Sequence, residues 1–171
     1  MKIFAIGDLH LSFSEKVTSK NMDQVETYKP MDCFGDQWKH HYKKIFNNWK
    51  NNISSEDIVL IPGDLSWAMK LEDVNYDLDY ISLLPGKKIL VKGNHEYWWD
   101  GISKVRSKLP ENTHALQYDS LDIKEVSIAG TRGWISPNEC QFDEHDKKIY
   151  RREVMRLERS LDSIKQDPEI L

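Results

Sequence analysis

Four times in this chain a short aliphatic run stops at a glycine and gives way to polar side chains: "KIFAIGDLH", "DIVLIPGDLSW", "KILVKGNHEYW" and "VSIAGTRGW". The runs are nearly continuous rather than alternating, as in strands covered on both faces. Periodicity alone does not separate such runs from buried helix, but their length favours strand. Strands of this kind need helices between them, so the repetition constrains the fold more than any other feature.

The intervening stretches have helical spacing. In "DQWKHHYKKIFNNWKNNI", Trp38, Tyr42, Ile45, Trp49 and Ile53 share a face, with Lys39, Lys43, Lys44 and Lys50 mostly elsewhere. Leu71, Val74, Leu78 and Ile81 form a weaker stripe, and Ile102, Val105 and Leu109 a short one after Asp100 as expected N-cap. A charged helix is expected from Asp143 to Gln166, with Tyr150, Val154, Leu157, Leu161 and Ile164 at helical spacing and Asp167 and Pro168 stopping it. The alternation predicts an α/β fold, a mostly parallel sheet with flanking helices, whose right-handed crossovers bring the strand ends to one edge.

A chain of 171 residues, 39% hydrophobic, is expected to form a single domain over 1–171. Residues Ser12 to Asp36 are mostly polar with no clear period and are expected to be a functional or a mobile loop. The closing "EIL" reads as the start of another strand, so the domain is expected to be incomplete at its C-terminus.

A net charge of −4 offers no basic field for nucleic acid or an anionic membrane, and neither is expected as a partner. The lysines of "WKHHYKKIFNNWK" fit a solvated helix face better than a nucleic-acid stripe. Cys33 and Cys140 form neither a disulfide framework nor a thiolate zinc site, which suits the cytoplasm. Asp8 and His10 interrupt the N-terminal apolar run before it reaches the length of a membrane span.

The strand ends carry the chemistry. Asp8 and His10 stand two apart on an extended stretch and so can face the same way; Asp64 ends the second run, and Asn94 and His95 follow the third. Singly, such an Asp is equally a turn former or helix N-cap, and His10 a surface or core histidine. Together, oxygen and imidazole donors without thiolate suit divalent Mn, Fe or Zn. Two such ions joined by a carboxylate clamp the attacking and leaving oxygens of a phosphoryl transfer. Trp67, Trp98, Trp99 and Trp134 follow strand ends, packing helix to sheet or lining a site mouth, with packing favoured. Arg132, in "GTRGW", is either a phosphate clamp or half of a structural ion pair. His40, His41, His114 and His145 read as solvent or packing histidines.

The order D-x-H, GD, GNH resembles the calcineurin-like metallophosphoesterases; "GDLH", "GDLSW" and "GNHEYWW" match the first three blocks, and "GTRGWISP" with the following helix looks like a bacterial branch. The resemblance implies the N-terminal part of an αββα sandwich and a metal-dependent phosphoester hydrolase in which a hydroxide held between two metals attacks a phosphate mono- or diester. It implies two divalent ions (Mn, Fe or Zn), the first held by Asp8 and His10, the second by Asn94, with Asp64 bridging. His95 would stand near the leaving group as acid, and Glu96 would either orient His95 or favour a helix N-terminus. The substrate would be a phosphorylated small molecule or a nucleotide. The family's later lone His and GHxH blocks do not occur, so the second metal keeps only Asp64 and Asn94. The alternative is a truncated member with weak or no catalysis, acting as a metal- or phosphate-binding module. Uncovered sheet edges would suit a homo-oligomer.

Overall fold

Three of the four aliphatic runs become neighbours in one sheet: β1 (Ile3–Ala5), β2 (Ile58–Ile61) and β3 (Lys87–Val91). Ile3 pairs with Ile58 and Ile58 with Lys87, both in parallel register. The computed structural model describes residues 1–18, 20–138 and 142–165, which divide into two units, Met1–Ala115 and Leu116–Leu171.

In the first unit the expected helices form as α1 (His41–Asn52), α2 (Asn75–Ser82) and α3 (Ile102–Lys108). Tyr42 and Trp49 of α1, Leu78 and Ile81 of α2 with Val74 just before it, and Val105 of α3 are buried with Val59, Ile61 and Leu90 of the strands. Asp100 is not the N-cap of α3. Gly101 holds that position, while Asp100 accepts from the Gly101 N–H (2.7 Å) and pairs with Lys104 (2.6 Å), bracing the turn from one residue further out.

The fourth sheet position is not filled by "VSIAG". It belongs to β4 (Thr113–Leu116), completing a four-stranded parallel sheet of order β1-β2-β3-β4. β4 is short and contains His114, which weakened its apolar signal; its Thr113, Ala115 and Leu116 are nonetheless buried. The "VSIA" run is β6 (Val126–Ala129), paired antiparallel with β5 (Ser120–Ile123) in a separate hairpin of the second unit. A return after so few residues leaves no room for a crossover helix, so the pairing has to be antiparallel.

α4 (Glu144–Asp162) starts on a capping box in which the Asp143 side chain accepts from the Asp146 N–H and Asp146 reciprocates. The expected stop at Asp167 and Pro168, the "EIL" tail and Cys140 lie outside the described residues. The helix buries a different face from the one its aliphatic spacing suggests: Ile149, Glu153 and Ser160 are buried, whereas Val154, Leu157 and Leu161 are exposed. Polar bonds hold the buried face. Ser160 Oγ donates to the Asp119 carbonyl (2.6 Å) and accepts from the Gly130 N–H (2.9 Å), while Glu153 accepts from Thr131 and Arg156.

The described residues of 12–36 form the long connection expected, with apolar side chains packed inside it. The segment sends Phe13, Val17, Met22, Val25 and Met31 into the interior and bonds to itself through Ser14 N–H to Glu26 O (3.0 Å) and Tyr28 N–H to Ser12 O (3.0 Å). Its apolar residues are spaced for a folded-back loop, so no helical or strand period reveals them. No helix among the described residues is long and apolar enough to cross a membrane.

Candidate metal centre

The site begins where β1 and β2 end, because their pairing continues past both strands. Asp8 N–H donates to Gly63 O (3.1 Å), His10 N–H to Asp64 O (2.9 Å), Leu11 N–H to Leu65 O (2.9 Å) and Trp67 N–H to Leu11 O (2.9 Å). Within this zipper Asp8, His10 and Asp64 have φ of 56°, 45° and 54°, the left-handed region that L side chains enter at a cost of about 1 kcal/mol or more each. The kinks turn all three side chains toward one point. Their ligand atoms lie within 4.8 Å of one another.

Two glycines permit the third strand end to close on the second. A Cβ on Gly63 (φ 117°) would stand 2.6 Å from Gly93 Cα, and one on Gly93 would stand 2.2 Å from Asp64 Oδ1. Glu96 then fastens the turns. Its carboxylate, 2% exposed, accepts the backbone N–H groups of Asp64 (2.8 Å), Leu65 and Gly93. Glu96 is therefore neither a partner orienting the His95 ring nor a helix-dipole carboxylate. Burial pushes its carboxyl up, opposed by those three N–H groups.

The two oxygens of buried Asp64 accept from the backbone N–H and the Nδ1–H of His95, each at 2.9 Å. His10 turns Nε2 toward both carboxylates, 3.5 Å from Asp8 and 3.9 Å from Asp64, and its buried Nδ1 has no hydrogen-bond partner. Burial holds the His10 imidazole below its usual range despite the opposing pull of Asp64 and Asp8. Neutral imidazole is the form that ligates metals. No Lys or Arg pairs with the Asp8 or Asp64 carboxylate among the described residues. A buried carboxylate, a second carboxylate and an imidazole nitrogen with no countercation are a donor set that fits a divalent ion.

Asn94 is exposed in the same turn, between Gly93 and His95. Arg132 belongs to the second unit, where its guanidinium lies 4.6 Å from the centroid of the Trp134 ring, and no ion pair forms on it among the described residues. Trp98 and Trp99 pack in the core, as favoured, but Trp67 stacks on His10 with ring centroids 4.3 Å apart. The ammonium of Lys29 sits 3.2 Å from the Trp67 ring centroid. Since a ring and an ammonium at those separations cannot share one side, both faces of the indole are covered.

Of three supporting residues, Asp77 and Lys88 escaped the sequence, and His41, expected as a packing or solvent histidine, packs. Fully buried Asp77 of α2 accepts from Phe13 N–H (2.9 Å) and from the Ser66 hydroxyl, and burial pushes its carboxyl up to about 7. Buried His41 donates from Nε2 to Leu9 O (2.9 Å), pinning the residue between Asp8 and His10. Lys88, buried in β3, donates to Leu84 O (2.6 Å) and Gly86 O (3.0 Å) just beyond α2. Asp77 was detectable: with Val74, Leu78 and Ile81 it completes an i, i+3, i+4, i+7 face, where a carboxylate is out of place.

A family model for calcineurin-like phosphoesterase matches residues 1–169 of the chain. None of the curated proteins matches it. Among solved structures, the chain is similar to the protein of unknown function AQ665 from Aquifex aeolicus, at 18% identity and a TM-score of 0.46, over 92% of this chain and 74% of that one.

Proposed function

We propose that this chain, which belongs to the calcineurin-like phosphoesterase family, hydrolyses phosphate mono- or diesters of small molecules with the help of divalent metal ions. The observation that carries the proposal is the convergence of Asp8, His10 and Asp64 without a countercation. In this reading Asp8, His10 and Asp64 hold one ion, and Asp64 and Asn94 reach a second. Bound there, Mn, Fe or Zn supplies Lewis-acid charge for the phosphate oxygens and acidifies water into a nucleophile.

The chain's own residues do the rest. Asp64 fixes the His95 ring through Nδ1, leaving Nε2 to give a proton to the departing ester oxygen. Trp67 excludes water from one side of His10. A reducing compartment fits the exposed free thiol of Cys33.

A second reading, a metal- or phosphate-binding module with little catalysis, draws on a single observation: Asp8, His10 and Asp64 are the one such group of three among the described residues. Hydrolysis of bis(p-nitrophenyl) phosphate with Mn²⁺ tests both. The enzyme reading expects Mn-dependent turnover abolished by chelator, loss of bound Mn in Asp64→Asn, and retained Mn with about 10²–10⁴-fold slower turnover of an alkyl ester in His95→Ala. Unchanged Mn content in Asp64→Asn would overturn the site; bound Mn without turnover of any ester would favour the module.

A further inference from the structure

A cavity of about 560 Å³ opens beside the triad, with Trp67, the residue stacked on His10, as shared wall. That volume suits a small organic group. Its other walls include Tyr28, Met69 and Tyr76, which are 49%, 63% and 41% exposed, large side chains that neither the core nor the metal centre uses. Contiguous exposed aromatics around a concavity are the usual mark of a ligand surface.

The charges of the walls are one-sided. Glu72 and Asp73 line the cavity and no Lys, Arg or His does. Neither carboxylate has a Lys or Arg within salt-bridge distance among the described residues, and the nearby Lys104 is committed to Asp100 (2.6 Å). An anionic group would meet repulsion here; a cationic one would meet two acidic residues and two tyrosines. The ammonium of Lys29 rests on the Trp67 indole, at the wall shared with the metal centre.

We propose that this cavity selects phosphoesters whose organic group carries a cationic amine or quaternary ammonium, as in esters of amino alcohols. The phosphate lies at the metal centre and the cation lies among Tyr28, Tyr76, Glu72 and Asp73. This rests on the phosphoesterase reading for its chemistry, in which water adds to phosphorus as one ester oxygen departs, but not for its binding.

The test compares p-nitrophenyl phosphorylcholine with 3,3-dimethylbutyl p-nitrophenyl phosphate, which replaces nitrogen by carbon and keeps the shape. With the full chain and Mn²⁺, kcat/KM is expected to be at least about 10-fold higher for the choline ester, mainly through KM, and the ratio to fall to near one in the Glu72→Gln, Asp73→Asn double variant. Equal rates on both esters would overturn the cation pocket while leaving the phosphoesterase intact, and so would a preference that survives the double variant. If neither ester is hydrolysed while bis(p-nitrophenyl) phosphate is, the pocket is overturned and the phosphoesterase stands; if none of the three is hydrolysed, calorimetry on the unmodified chain decides the pocket by itself. Phosphocholine binding at least about 10-fold tighter than 3,3-dimethylbutyl phosphate upholds it, and equal or undetectable binding overturns it.

Discussion

Replacing Glu96 by Gln removes the charge that holds the second and third strand ends together. Oε2 accepts from two N–H groups, those of Asp64 and Gly93, and Oε1 accepts from the third, that of Leu65. Glutamine best keeps its single oxygen in the Oε2 position, which turns its NH₂ group toward the Leu65 N–H. One charge-assisted bond, worth about 1.5–3 kcal/mol, is lost, and two buried donors face each other. Relief from burying a charge offsets part of this, since burial already disfavours the ionised form. The net expectation is about 2 kcal/mol, or a melting point lower by about 4–8 °C for a chain of this size. Glu96→Ala, with no acceptor left, is expected to lose more. Because Asp64 is fixed through the same turn, metal affinity is expected to fall about 10–100-fold, the usual cost of losing a group that supports a ligand. Thermal melts with and without Mn²⁺ read both effects. An unchanged melting point together with unchanged Mn affinity in Glu96→Gln would refute the clamp.

Asp77 ties the stability of the first unit to pH. Its folded pKa, raised from 3.8 to about 7, means the folded chain keeps a proton that the unfolded chain has released, so this contribution is complete below about pH 4 and is lost as pH rises through about 7. The full effect is about 4 kcal/mol, and about 3 kcal/mol of it falls between pH 5 and pH 8. Asn can keep the acceptor for Phe13 N–H and donate to Ser66, so Asp77→Asn is expected to flatten urea-unfolding stability over that range; a slope equal to wild type would count against it. Gly93→Ala drives a methyl group into Asp64 Oδ1 and the Asp64 N–H, and is expected to destabilise by about 2 kcal/mol or more with a matching loss of bound Mn²⁺. Mn²⁺ binding at wild-type strength in that variant would show that the two turns separate freely.

What the sequence revealed follows from where the signal is local. β1, β2 and β3 are continuous aliphatic runs closed by glycine, and Asp8, His10 and Asp64 are fixed relative to those glycines, so the strands and the group that could hold a metal were legible together. β4 was not, because four residues containing a histidine carry no strand pattern of their own and take their conformation from the β3 edge. The "VSIA" run forms a strand as expected but pairs locally with β5, and orientation is a property of the connection rather than of the run. In α4, aliphatic spacing pointed to one face while hydrogen bonds from Ser160 and Glu153 bury another; polar side chains that satisfy one another leave no periodic trace.

Four acids crowd the same corner of the first unit, and their surroundings separate the scaffold from the pair at the candidate metal centre. Glu96 spends both oxygens on three N–H groups, and Asp77 spends both on an N–H and a hydroxyl. Among the described residues Asp8, largely exposed, pairs with His10 alone, and Asp64, bonded to His95 through both oxygens, still faces His10 at 3.9 Å. Asp64 carries a donor on each oxygen as Asp77 does, so what distinguishes the pair is that each faces the His10 imidazole and the other carboxylate, an arrangement that gains most from a cation. The backbone geometry agrees: the left-handed φ values fall at Asp8, His10 and Asp64, where side chains must be aimed, and at neither Asp77 nor Glu96, where ordinary backbone suffices. Within this corner, then, the strained residues are the ones that face the proposed ion, and acids that do not face it hold them in place. Loss of either scaffold acid is therefore expected to weaken metal binding through geometry, without removing a ligand.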